Sequence, residues 1–517
     1  MDNNNLRRII IATVISFIFF VAYDYFVLQP QMVKKGEANG TQPQKVVAHK
    51  GGEKIQNSIG SRNSPATTSV KSRVVAVIEG KEFKIEVDQW GRVSSFILRQ
   101  HKFNEKGKQL QLISPDSPKP WEIRLKDEKL NRELYQTPVE VSSSSLNLNG
   151  KSQTLTITHK LPSGGEIKKV VTIYPDGHYT LKVEARGVGE YLISPGLRPQ
   201  GAVDNLTIHG VLVKLKSGKL RIIEDGDAEP ERFSDAIVVA GFDRYYTSLF
   251  FSKGGFPVVI GSKNGNPVPF VELKGNGEFT GYIGPKYVDR LASIDRELID
   301  VVQYGLGTFF ARNLFLLLDW LYKVVHSWAL AIILLVILVR LVLFPLTWKG
   351  MVSMYKLKEL APKLKEIQEK YKKDPTTLQK KMMELYKKHN ANPLGGCLPL
   401  LLQIPIFYGI YKLLLYSIEL KGAHFLWIKD LSEMDPYFIL PILMSITMYL
   451  HQKLTPTNFQ DPMQEKVFKF LPLLFTFLMA TFPAGLVLYW TTNNLLSLLQ
   501  QWIINKLMEH RKMEVQK

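Results

Sequence analysis

WALAIILLVILVRLVLFPLT, residues 328–347, decides how this chain is read. The run is long enough to cross a bilayer, since a spanning helix needs about 20 apolar residues. One residue interrupts it. Arg340 stands twelve positions after Trp328, about 18 Å along a helix. That depth costs an arginine about 2.5–3.5 kcal/mol even on insertion scales. A buried carboxylate would offset the cost, but none of the four apolar segments that follow carries an Asp or Glu in its interior. Snorkelling to the interface is the plainer reading, and it is strained at roughly 10 Å from the boundary. The alternatives are water, a polar lining, or a negative group on a visiting molecule.

Those four segments are Cys397 to Ile418, Tyr437 to Leu450, Val467 to Phe482 and Leu486 to Ile504. On the last, Trp490, Asn493, Ser497, Gln500 and Gln501 recur at helical spacing and form one polar face, widened by Asn494 and Thr491. Gln403 lies between Pro399 and Pro405, and Thr447 and Thr476 are weaker members because a threonine can bond its own helix backbone. Polar residues between membrane helices also serve as packing glue. The stripe together with an unpaired arginine argues for a hydrated cavity. Lys412 is expected to snorkel from the end of its span, and Cys397 reads as a small packing residue.

Charge sets the orientation. Residues 349–394 hold twelve lysines against five acids, and the loop 419–436 is acidic. Basic loops inside and acidic loops outside fit spans with both termini in the cytoplasm. Within the basic segment Met354, Leu357, Leu360, Leu364, Ile367 and Tyr371 recur at helical spacing. Asp374-Pro375 breaks the chain, and Leu378, Met382 and Leu385 form a second stripe. A helical hairpin follows, 349–394, with a lysine-rich outer face that is either solvated or a docking platform. The tail, 508–517, is short and basic.

Upstream, residues 1–28 pair Arg7 and Arg8 with an apolar run and read as a transmembrane anchor. A cleaved signal peptide is the competing reading, but DYFVLQPQ after the run supplies no small-residue cleavage site. Residues 29–72 contain no Phe, Trp or Tyr and are expected to form a flexible tether. From 73 to about 285, runs such as KEFKIEVDQ, QTLTITHKL and FPVVIGS alternate with YPDG, SKNGNP and GNGE turns. They predict a dozen or more strands in one β-sandwich domain, 73–300, with no long helical period among them. Residues 286–301 look helical, and the amphipathic stretch within 301–326 suits a helix lying in the membrane interface.

The averages conceal this division. Over 517 residues the mean hydropathy is −0.04 and the net charge +19, with 45% apolar residues. Such values resemble a soluble globular protein, yet they combine a polar tether and β domain with an apolar helical region. One cysteine excludes an internal disulfide and a multi-cysteine zinc site. His101, His159, His178 and His209 lack metal-ligand spacing, no nucleotide-binding loop is present, and no catalytic constellation emerges. No cofactor is expected. No base-reading motif accompanies the positive charge, so specific DNA is not an expected partner.

NPLGGCLPLLLQIPIFYGIY (392–411), DPYFILPILMSITM (435–448), PMQEKVFKFLP (462–472), FPAGLVLYWTTNNL (482–495) and the R-x-x-x-x-P-L-T of Arg340 to Thr347 resemble the signature segments of the YidC membrane protein insertases. The resemblance covers the whole chain and matches the Gram-negative form, with its large periplasmic domain. It implies a membrane α-helical bundle of six transmembrane spans, five in the core (327–348 and four within 395–507), plus a large all-β periplasmic supersandwich. It implies an inner-membrane, multi-pass insertase and folding chaperone that is not an enzyme, acting on nascent membrane proteins alone or with the Sec translocon. Residues 29–300 would be periplasmic. Ribosome and targeting-factor contacts through the cytoplasmic hairpin fit the family. Its groove arginine corresponds to Arg340, and its polar partners to Gln403 and the Asn493/Asn494 to Gln501 stripe. Two other classes stay open from the residues alone. One is a transporter whose Arg340 binds a small anion, which would be expected to show internal repeats. The other is a sugar-binding or sugar-modifying domain on an anchor.

Overall fold

The computed structural model describes residues 72–104, 107–202, 207–304, 308–371, 374–389, 398–454 and 462–515. The expected anchor at 1–28, the tether up to residue 71 and Cys397 lie outside the described residues. The described residues divide into two compact units, one up to Gln303 and a second from Tyr304 onward.

Alternation builds the first unit. The strands Gln153–Lys160 and Glu166–Ile173 bury every second residue, among them Leu155, Ile157, Ile167 and Val171, as expected of a sheet covered on one face. The described strands form a four-stranded sheet and a twelve-stranded sheet, largely antiparallel. The 18-residue strand Tyr246–Lys263 organises the larger one. Its first part pairs with Gly277–Pro285 and its second with Asn266–Lys274, while Glu231–Phe242 pairs along its other side. The switch falls at Gly254 and Gly255, and Gly255 takes a φ of +79° that an L side chain adopts only with strain. The sheet forks there.

The two sheets meet through apolar and charged contacts. Within the smaller sheet Phe83 stacks on Phe96 of the neighbouring strand at 5.3 Å, and Trp121 meets Tyr179 of the larger sheet edge-on at 5.2 Å. Lys169, an inward position of its strand, donates from Nζ to the carbonyls of Gly91 and Trp121. Beside it Arg92 bridges Asp88 and Glu122, and Arg124 also reaches Glu122; all four are almost fully buried. Burial alone would raise Glu122, but Arg124 and then Arg92 outweigh it and hold the carboxyl below its usual range.

One short element was not foreseen and one expectation is corrected. A nine-residue helix, α1 (Glu128–Gln136), stands among the strands. It is too short to carry a legible apolar period, and its signal is the Asp127 N-cap, which accepts from the backbone N–H of Lys129 and Leu130. The helix expected over 286–301 is split. α2 (Val288–Ile294) ends at Asp295, which is extended (φ −162°) and caps a 3-10 turn, Arg296–Val301, through the N–H of Glu297.

The second unit is helical. Its described elements are α3 (Thr308–Val325), α4 (Trp328–Lys370), α5 (Pro375–Lys388), α6 (Leu398–Tyr416), α7 (Ile439–Leu454), α8 (Pro462–Met479) and α9 (Ala484–Val515). α4 runs unbroken for 43 residues, roughly 64 Å, through Pro345 and Pro362. The apolar segment and the first arm of the basic hairpin are thus one rod. α5 returns along it: Leu360 and Leu364 are buried against Leu357, Met382, Leu385 and Tyr386. α3 packs on α6, where a Cβ at Gly409 would stand 2.9 Å from the Cβ of Phe310, so the two helices approach closely. α9 contacts α4, α6 and α7.

Among the described residues one stretch, Trp328–Leu357, is long and apolar enough to cross a membrane, and only 28% of its most apolar window is buried by protein. α7 has 16 residues, and the apolar part of α8 is Lys469–Met479. Both helices nonetheless present Ile442, Leu443, Ile446, Leu473, Leu474 and Phe477 outward, as α9 presents Leu495, Leu499 and Trp502. Apolar surface this continuous is foreign to a protein bathed in water.

Candidate functional site

Arg340 organises the candidate site. It points from α4 at α9, where residues three and four apart share a face. Nε and Nη2 donate to Asn493 Oδ1 at 2.9 and 2.8 Å, Nη2 also to the Asn493 carbonyl at 3.1 Å, and Nη1 to Gln500 Oε1 at 3.0 Å. Ser497 Oγ accepts from Nη2 and donates to the Asn493 carbonyl at 2.9 Å. Among the described residues no carboxylate forms an ion pair with the guanidinium. The arginine is held by neutral acceptors and keeps its charge uncancelled.

The other stripe residues stand around this centre in different roles. Trp490 packs edge-on against Phe407 of α6 at 4.7 Å and near Phe475 of α8 at 5.4 Å, joining three helices. Gln403 Nε2 reaches the Tyr489 hydroxyl at 3.4 Å. Gln501 turns away and donates to Asn505 Oδ1 at 2.9 Å, and Asn505 in turn donates to the Leu454 carbonyl at the end of α7. The Asn494 amide nitrogen is buried, with no hydrogen-bond partner among the described residues. Thr447 and Thr476 donate to Met444 and Pro472 carbonyls of their own helices. The structure therefore brings Asn493, Ser497 and Gln500 onto Arg340, and neither threonine reaches it.

Sequence reasoning passed over three polar participants. Asn505 continues the stripe one turn beyond Gln501, so its spacing was available. Ser445 donates to the Pro472 carbonyl at 3.1 Å and links α7 to α8; a lone serine among apolar residues gives little signal. Tyr489 was hidden beside Trp490. Lys412 requires a correction. It is buried, not snorkelled, with its ammonium 5.6 Å from the rings of Tyr408 and Tyr411 and 5.9 Å from Tyr416. Aromatic faces replace water around the cation. In the β unit His159 bonds the Thr137 carbonyl, and His178 and His209 bond Asp176 and Asp225.

Comparison with known proteins extends this picture. The family described as 60Kd inner membrane protein matches residues 320–512, which hold Arg340 and every partner named above. A protein of Wolinella succinogenes named membrane protein insertase YidC is 49% identical over 522 residues, covering 99% of this chain and 97% of its own. Proteins of the same name from Campylobacter jejuni (47% identical, 99% of each chain) and Helicobacter pylori (45%, 99% of this chain and 98% of its own) align as completely.

Proposed function

The chain belongs to the YidC family of membrane protein insertases, and from that premise we propose that the Arg340 cradle is the polar floor of a hydrated groove, open to the cytoplasm, through which clients enter the bilayer. Membrane protein insertion in the inner membrane follows from the family. The groove is our reading, and the observation that carries it is a cation deep in an apolar helix whose bonded partners are all neutral.

A polar or acidic stretch of a client enters beside Arg340 and exchanges water for the guanidinium and the amides of α9. This shortens the apolar distance that the stretch must cross. The client's hydrophobic segment then slides along the apolar outer faces of α6 and α8 and partitions into lipid. Burial of apolar surface drives the step. In this reading six spans cross the membrane, five of them in the core; both termini are cytoplasmic, and residues 29–300 form the periplasmic supersandwich and its tether. Cooperation with the Sec translocon, chaperoning of clients, and contacts of the 349–394 hairpin with ribosomes or targeting factors belong to the same proposal. Its support is the packed hairpin core of Leu360 and Leu364 under a lysine-rich surface.

Reconstitution of the full chain in liposomes with a small single-span client tests it. Protease-protected client is the expected product without added nucleotide. Failure of insertion by a well-folded preparation overturns the groove acting alone.

A further inference from the structure

The segment between α6 and α7 holds two bulky apolar residues in backbone conformations that disfavour them. Phe425 and Ile428 exchange backbone hydrogen bonds, N–H to carbonyl, at 2.8 and 2.9 Å, closing a two-residue turn. Its first inner residue is Leu426, at φ +51° and 73% exposed. Tight turns of this geometry ordinarily take Gly or Asn. Phe438, at φ +56°, is also exposed, as are Met434 and Tyr437 beside it. In water such a segment combines backbone strain with unburied apolar surface, a combination that points to function.

The segment is also rigid. Asp435, 2% exposed, accepts from Trp427 Nε1 at 3.0 Å and from the N–H groups of Tyr437 and Leu440 at 3.1 and 2.7 Å. The carbonyls of Glu433 and Leu431 accept from the first N–H groups of α9, Ala484 and Gly485, at 2.7 and 2.9 Å. Nothing needs to unfold to present Leu426, because it is already held outward.

Helix length identifies what covers it. α7 has 16 residues, about 24 Å of rise, against a hydrocarbon core of about 30 Å. Its far end is fixed by His451 and Lys453 in the last turn. The missing apolar length must come at the Ile439 end, where Tyr437 and Phe438 are exposed like Ile439, Ile442 and Ile446, and where Asp435 ties the Leu426 turn through Trp427 Nε1. We propose that the Phe425–Ile428 turn and the Met434–Phe438 segment form a rigid lipid wedge, seated at the acyl-chain boundary of the leaflet that this end of α7 reaches. The proposal rests on the helical unit being embedded in the membrane.

The test labels Leu426→Cys in a Cys397→Ala background with an environment-sensitive fluorophore. The labelled full chain is reconstituted alone in phosphatidylethanolamine–phosphatidylglycerol vesicles. Tyr437→Cys serves as a second label site, and Phe477→Cys on the outer face of α8 as the membrane reference. The expected result is blue-shifted emission from all three, quenched by nitroxide lipids and not by aqueous iodide. Iodide quenching at 426 and 437 with lipid quenching at 477 would overturn the wedge and leave the membrane reading standing. Protection from both quenchers at 426 and 437 would place a protein surface there and overturn the lipid assignment. Iodide quenching at all three would remove the embedded unit and the wedge with it.

Discussion

Replacing Arg340 with alanine separates the client's use of the charge from the protein's own use of it. The side chain makes five hydrogen bonds to α9, three of them to side-chain oxygens of Asn493 and Gln500 within normal range. A hydrogen bond to a charged group contributes about 1.5–3 kcal/mol. Against this stands the cost of an intramembrane arginine, about 2.5–3.5 kcal/mol, which alanine also removes. The three normal-range bonds, together about 4.5–9 kcal/mol, exceed that cost, so the variant is expected to lose about 1–6 kcal/mol of stability. Insertion should suffer separately. One lost contact between the guanidinium and a client carboxylate, again about 1.5–3 kcal/mol, slows insertion about ten- to hundredfold. The assay follows protease protection of a single-span client with an acidic exported segment, beside the same client with Asp changed to Asn. Arg340→Ala should slow the acidic client and spare the neutral one, and Arg340→Lys should retain most of the rate because the charge remains. Wild-type insertion of the acidic client by a stable Arg340→Ala protein would refute the role of the charge.

Other consequences follow from packing and titration. Leu364→Ala removes a buried hairpin side chain at a cost of about 2–4 kcal/mol, and hydrogen exchange of the α5 amides should accelerate while the β unit is unchanged. Gly409→Val drives a branched side chain into Phe310 across the α3–α6 contact. A fall in thermal midpoint in detergent equivalent to about 1–3 kcal/mol is expected. Burial pulls Lys169 from its ordinary 10.5 down to about 7. Between those values the unfolded chain binds the proton that the folded chain has released, so this residue makes stability rise with pH across the window. Lys169→Met should flatten that rise, read as the difference between thermal midpoints of the β unit at the two ends of the window.

The strand and helix pattern was readable where periodicity is long. Period two marks Gln153–Lys160 and Glu166–Ile173, and the helical stripe of α9 was visible because Asn493, Ser497 and Gln500 recur at steps of four and three. Short elements escaped, since the nine residues of α1 hold too few apolar positions to show a period. Asp295 broke a helix that propensity alone would have continued, because its side chain competes for a backbone N–H. Lys412 was misread for a different reason. Tyr408 and Tyr416 stand four residues to either side of it on one helical face, but only packing shows that their rings close over the ammonium. Lys169 likewise falls in register with Ile167 and Val171, so its inward position followed from alternation, whereas its acceptors, the Gly91 and Trp121 carbonyls, are tertiary.

The identity of the partners around Arg340 bears on how such a site could work without a nucleotide. A resident carboxylate would cancel the charge, and an arriving client would then have to break an ion pair. Asn493, Ser497 and Gln500 satisfy the guanidinium N–H groups with dipoles instead. They hold the fork in place and leave its field available to whatever enters. In the proposed groove, a client carboxylate that displaced the Gln500 oxygen would trade a charge–dipole bond for a charge–charge bond. The released amide would turn to water there, and the charge–charge bond would offset part of the carboxylate's desolvation. On that proposal Gln500 would return to its place as the client's apolar segment moved on into lipid, which would reset the site with no covalent step. A Gln500→Glu substitution puts the proposal at risk: it would supply the missing carboxylate, tighten the cradle, and should slow acidic clients even though the oxygen that accepts from Arg340 Nη1 is kept.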